Sequence, residues 1–116
     1  MTREFTEYNY SPRRKDKKVD SKTNAICTVY NYGKVYRSYA ETIGILIGET
    51  LIATKRRWSR TTSVHQSYMR RDSTYLQEIL LDHEDFKDFE WYCNHNESPS
   101  MDKWKRVVAQ ALLAAR

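Results

Sequence analysis

Between residues 24 and 57 the chain carries "AICTVYNY", "VYRSY", "TIGILIG" and "LIATKRRW", short runs rich in β-branched and aromatic residues. Only a few residues separate each run from the next. This spacing constrains the fold more than any other feature, because connections so short cannot hold a crossover. Consecutive strands must then be antiparallel neighbours. The first run alternates Ile26, Thr28, Tyr30 and Tyr32 against Cys27, Val29 and Asn31. By the same two-residue period Ile43, Ile45 and Ile47 share a face. Turns fall at "YGK" (32–34) and "GET" (48–50). The pattern predicts a four-stranded antiparallel meander whose aliphatic face holds Ile43, Ile45, Ile47 and Leu51.

The second half changes period. Residues 60–81 read as helical, with a break near Asp72–Ser73. Thr61, Thr62 and Ser63 are good helix-capping types, and Val64, Tyr68 and Met69 form an apolar stripe. Thr74 and Gln77 have capping-box spacing for a further helical segment, "YLQEILLD". "HEDFKDFEWYC" places Phe86, Phe89 and Cys93 at helical intervals. Ser98–Pro99 is a helix start, and "MDKWKRVVAQALLAAR" then aligns Trp104, Val108, Ala111, Leu112 and Ala115. Strands followed by helices predict an α+β fold, a meander packed against about three C-terminal helices. Leu76, Leu80, Trp104 and Leu112 are the expected contacts with the sheet.

At 116 residues the chain has the length of one domain. Residues 1–23, including "RRKDKK", lack a period and predict a basic N-terminal arm, on which Phe5, Tyr8 and Tyr10 can still dock. Residues 24–116 are the expected domain. "MTREFTEYNY" has no apolar core of a signal peptide, and "IGILIG" is too short to span a bilayer. The expected location is therefore the cytoplasm, away from membranes. Cys27 and Cys93 are expected as free thiols, since a lone pair is no disulfide scaffold.

The formal net charge is +5 and the isoelectric point about 9.2, but the distribution says more. Residues 50–71 hold six bases and no acid, whereas residues 72–97 hold eight acids and one base, Lys87. Two readings follow: the stretches neutralise each other, or the basic one is an open face. In the second, Lys55, Arg56, Arg57 and Arg60 precede a helix start whose N–H groups attract anions, and Arg70 and Arg71 follow. Thr61, Thr62, Ser63 and His65 add donors, and Trp58 could stack on a base. These eleven residues are the candidate nucleic-acid contacts.

"SYAETIGILIGETLIATKRRWSRTTSVHQSYMRR" resembles an element of small uncharacterised bacteriophage and plasmid proteins. In these a strand bearing "SY" and a hairpin lead into an S-x-T-T-S-x-H helix. The matching residues are Ser38, Tyr39, Ser59, Thr61, Thr62, Ser63 and His65, within about a third of the chain. The resemblance implies a viral or mobile-element origin, with the host cytoplasm as the location, and no particular activity.

Other chemistry is weakly signalled. His65 is expected to satisfy a nearby carbonyl or hydroxyl with its imidazole; it could act as a base but has no nucleophile or metal ligand nearby in sequence. His83, Cys93 and His95 fit no common zinc spacing. There is no Gly-rich phosphate loop and no hydrolase or kinase signature, and three glycines leave little room for a cofactor cradle. The sequence therefore favours a non-enzymatic basic module that binds DNA or RNA without a cofactor. A phage-encoded inhibitor of a host defence nucleoprotein complex is the alternative, and a small nuclease is the third reading. The partner is a nucleic acid or a host protein complex; the oligomeric state is left open.

Overall fold

The structure, a computed structural model, describes residues 4–12, 19, 23–57, 60–96 and 99–106. Within them the meander forms as the alternation predicts. β2 (Ala25–Tyr30), β3 (Gly33–Ser38), β4 (Glu41–Ile47) and β5 (Thr50–Thr54) pair antiparallel in sequence order. Two further strands extend the sheet to six, in the order β1-β2-β3-β4-β5-β6. The first is β1 (Phe5–Asn9), from the segment read as an arm, which pairs antiparallel with β2. Tyr10, just after it, is buried. The basic run 13–18 lies outside the described residues.

The other addition is β6 (Gln77–Leu81), parallel to β5. It corrects the helical expectation for "YLQEILLD". In β6 Ile79 and Leu81 are buried while Leu80 is 38% exposed and Leu76, just before it, is 78% exposed. That is a two-residue period, which a short apolar run does not reveal by itself. The predicted sheet contacts of Leu76 and Leu80 are therefore not made as expected. The crossover between β5 and β6 is α1 (Arg60–Ser73), and β6 leads at once into α2 (His83–Asn94). Residues 101–106 are helical and begin the predicted last helix. Val108, Ala111, Leu112 and Ala115 lie outside the described residues.

Helices cover both faces of the sheet, so both faces are apolar. One pleat row runs Tyr8–Cys27–Tyr36–Gly44–Ala53 across β1 to β5. Its small residues, Gly44 and Ala53, make room for Met69 of α1, which is fully buried there. The opposite row runs Thr28–Val35–Ile45–Ile52–Ile79. It is roofed by Phe86, Phe89 and Cys93 of α2, with Met101 and Trp104 at the margin. Trp104 stands edge-on to Phe89 and Tyr92, with ring centroids 5.1 and 5.4 Å away.

The two-sided sheet corrects a second expectation. Ile43 does not share a face with Ile45. The register between β3 and β4 slips at Tyr36/Arg37, so Tyr36 pairs with Gly44 and Arg37 with Thr42. Ile43 is the extra residue of this bulge and packs on the α1 side with Leu46 and Leu51, while Ile45 packs on the α2 side. Leu51 likewise belongs to the α1 face. A one-residue insertion exchanges faces, which simple alternation cannot foresee.

Candidate nucleic-acid interface

α1 is rotated relative to the stripe read from sequence. Its buried residues are Thr62, His65, Met69 and Ser73, spaced three or four apart. Val64, expected to be apolar and inward, is 37% exposed. The buried stripe is largely polar because it meets polar partners on the sheet. Ser38 Oγ lies 2.7 Å from His65 Nδ1 and donates to Thr62 Oγ1 at 3.3 Å. Tyr39 stacks on the imidazole at 5.7 Å, and Tyr10 meets it edge-on at 6.2 Å. Burial holds the His65 pKa below its ordinary value, so the ring is neutral near pH 7. Ser38, Tyr39, Thr62 and His65 are thus one assembly that locks α1 to the β3–β4 turn. In that two-residue turn Tyr39 and Ala40 have φ of 52° and 68°, a conformation that favours Gly or Asn.

A second assembly pins the far end of α1. Tyr8 and Tyr36 both donate their hydroxyls to Asp72 Oδ2, the latter at 2.7 Å. Lys34 Nζ reaches Tyr8 Oη at 3.4 Å. Burial, reinforced by the Asp72 hydrogen bond, raises the pKa of both phenols. Small Cys27 sits between the two tyrosines in the pleat row, which lets their rings lean toward one carboxylate. Sequence reasoning missed Asp72 because its partners lie 64 and 36 residues away.

With these stripes turned inward, the adjacent stripe Ser63, Gln66 and Arg70 faces outward at helical spacing. It forms one wall of a groove of about 480 Å³. The opposite wall is Thr54, Lys55, Arg56 and Arg57, and Leu80 of β6 contributes an apolar patch. Thr54 shapes that wall. Its hydroxyl accepts the Arg56 N–H at 3.1 Å, and the Lys55 N–H donates to the Leu81 carbonyl at 2.8 Å. The Thr54 hydroxyl also lies 3.1 Å from His83 Nδ1. Burial depresses the His83 pKa, and the charges of Arg56 and Lys87 add to the effect.

Of the predicted contacts, Lys55, Arg56, Arg57, Ser63 and Arg70 line the groove. Arg60, Thr61 and Arg71 are exposed on α1 but do not line it, and Thr62 and His65 are buried. Trp58 and Ser59 lie outside the described residues. Arg70 and Lys55 have acidic neighbours. Arg70 Nε bonds Glu78 Oε1 at 2.8 Å, and Lys55 Nζ lies 3.7 Å from an exposed Asp82 carboxylate. The acidic half thus reaches Arg70 and Lys55 in the groove, and Arg56 and Arg57 are exposed on its wall. At this separation and exposure the Lys55–Asp82 pair contributes little and yields readily.

The other sequence candidates are dispersed. Cys93 is buried under the sheet, His83 sits by Thr54, and His95 stacks on Trp91 at 4.0 Å. Among the described residues no group of three or more His, Cys, Asp or Glu could hold a metal ion. No helix of the described residues is long and apolar enough to cross a membrane. Comparison with known proteins finds no matching family model, no matching curated protein and no matching solved structure.

Proposed function

We propose that the chain is a non-enzymatic module of phage or mobile-element type that grips a nucleic-acid backbone in the groove between residues 54–57 and α1. The observation that carries this reading is the convergence of Lys55, Arg56, Arg57 and Arg70 on one concavity, with Ser63 and Gln66 as neutral donors. Guanidinium forks match phosphate oxygens, and hydroxyl and amide groups fix the register of the strand. Arg60 and Arg71 extend the positive field along α1. Contacts of this kind position a backbone and do not read bases.

Titration of labelled single-stranded DNA, duplex DNA and RNA at several salt concentrations tests the reading. Affinity should fall linearly on a log–log plot, by about 0.7–0.9 of a unit per phosphate neutralised. Changing Arg56, Arg57 and Arg60 together to Ala should weaken every sequence alike and reduce that slope, with the fold intact because all three are exposed. Absence of binding by the unaltered protein at low salt would discard nucleic acid as the ligand.

A specific observation favours the second reading, a protein-binding inhibitor of a host nucleoprotein complex. Glu84, Asp85 and Asp88 are exposed along α2 and end at Trp91, which is 62% exposed. An acidic stripe ending in an aromatic anchor suits a surface built for nucleic acid. Capture of a host complex that survives nuclease treatment and is lost with Trp91→Ala would support it.

A further inference from the structure

On the face of the sheet opposite α1, α2 and the 101–106 helix enclose a second pocket of about 320 Å³. Among the described residues, Asp88, Trp91, Tyr92, Lys103 and Trp104 line it. Its size lies at the small end of ligand sites, about 300–1,000 Å³, and its lining of rings with a few polar groups is typical of them. No spacing in the sequence marks a pocket here, since Lys103 and Trp104 approach Asp88 and Trp91 only once the last helix folds back on α2.

The rings are held in place before any ligand arrives. Trp91 is exposed, yet His95 stacks on one of its faces with an interplanar angle of 20°. His95 is itself held, its Nδ1 lying 2.8 Å from the Trp91 carbonyl oxygen. Tyr92 and Trp104 meet at 65°, forming adjoining walls, and Phe89 backs Trp104 at 88°. A preset aromatic surface loses little entropy when it is covered.

The polar groups are not mutually satisfied. Asp88 and Lys103 line the same pocket and form no ion pair with each other. The Lys103 ammonium instead lies 5.6 Å from the centre of the Tyr92 ring. The indole Nε1–H of Trp104 is buried and has no hydrogen-bond partner. The pocket therefore combines an aromatic surface, a carboxylate acceptor and an ammonium donor. A ligand that uses all of them is planar, with adjacent N–H donors on one edge and carbonyl acceptors on another.

We infer that this pocket binds a guanine-type purine base, stacked on the tryptophans, with Asp88 accepting its two adjacent N–H groups and Lys103 donating to its carbonyl edge. A carboxylate matches that donor pair in bidentate fashion, and an ammonium suits the O6/N7 edge. Adenine, cytosine and uracil do not present the same paired donors beside a carbonyl. The exposed charges around the site are mixed, Glu84 and Asp85 on α2 against Lys105 and Arg106 on the 101–106 helix, so the base and not a phosphate sets the affinity.

Quenching of tryptophan emission by guanosine, adenosine, cytidine and uridine tests the assignment. Guanosine should quench saturably and more tightly than the others, with its monophosphate similar. Asp88→Asn should cost about tenfold or more for guanosine and little for adenosine, as loss of a charge-assisted bidentate pair does. Lys103→Met should weaken guanosine as well. The Arg56/Arg57/Arg60 triple variant should bind guanosine normally, which separates this site from the groove. Competition by a guanine-ended oligonucleotide would assign the base to a strand, and its failure to compete would assign a free nucleoside. No saturable quenching, equal affinity for all four nucleosides, wild-type behaviour of Asp88→Asn, or tighter binding of tetramethylammonium would overturn the proposal.

Discussion

His65 shows how one side chain can suit two places, a hydroxyl partner inside the fold or a ligand surface. Its position after a hydroxyl-rich helix start suits an imidazole that satisfies a nearby hydroxyl as well as a donor at a ligand surface. In the fold it is enclosed by Ser38, Thr62, Tyr10, Tyr39 and Tyr68. The ring has one strong partner, Ser38, and no carboxylate among these neighbours. Its folded pKa is lowered from 6.5 by burial, as is that of His83. The unfolded chain thus takes up protons first as pH falls, so stability drops once pH goes below about 6.5. Above that value both states are neutral and the effect vanishes. Urea unfolding at pH 7.5 and pH 5.5 should show a lower midpoint at the acid value, and His65→Gln should shrink the difference. An unchanged difference in that variant would show that His65 does not couple to folding.

At the level of elements, close approach decides what the sheet tolerates. Gly33, read from sequence as part of a turn, opens β3, and Gly44 lies inside β4. A Cβ on Gly44 would meet Met69 Sδ at 2.2 Å, the end of a flexible side chain. A Cβ on Gly33 would meet the Leu46 carbonyl oxygen at 2.0 Å, which is backbone of the neighbouring strand. Gly44→Ala should therefore cost about 1–3 kcal/mol, the range for overpacking a core that can partly adjust. Gly33→Ala should cost more, because the hairpin itself must part. Chemical denaturation of both variants checks the order, and equal midpoints would contradict it. The same closeness explains α1. A helix seated over Gly44 and Ala53 can bury a polar stripe only because Ser38 and the tyrosines of β1 and β3 provide partners for it.

Across the whole molecule the sheet is a septum between two separately packed cores. Cys27 belongs to the α1 side and Cys93 to the α2 side, and both are fully buried free thiols. Burial pushes the Cys27 thiol up to about 11, so it is also protonated at neutral pH. Thiol reagents should leave the native protein unmodified and label both cysteines together as urea unfolds it, read by mass spectrometry. Labelling of Cys93 well before Cys27 would mean that the α2 side opens on its own. Much of this architecture was legible beforehand. The β-branched runs with short turns determined the meander, Phe86, Phe89 and Cys93 determined α2, and the acid-free stretch pointed to the wall at 55–57, because each signal is carried by residues adjacent in the chain. Tertiary structure decided the rest. β6 became a strand because β5 offers it a parallel edge, β1 joined because β2 needed a neighbour, and Ile43 changed faces because of a single bulge. Asp72 found Tyr8 and Tyr36, and Lys103 came to Asp88, only through folding. Spacing along a chain records which residues can share a face, whereas contacts between distant segments depend on how those faces are brought together.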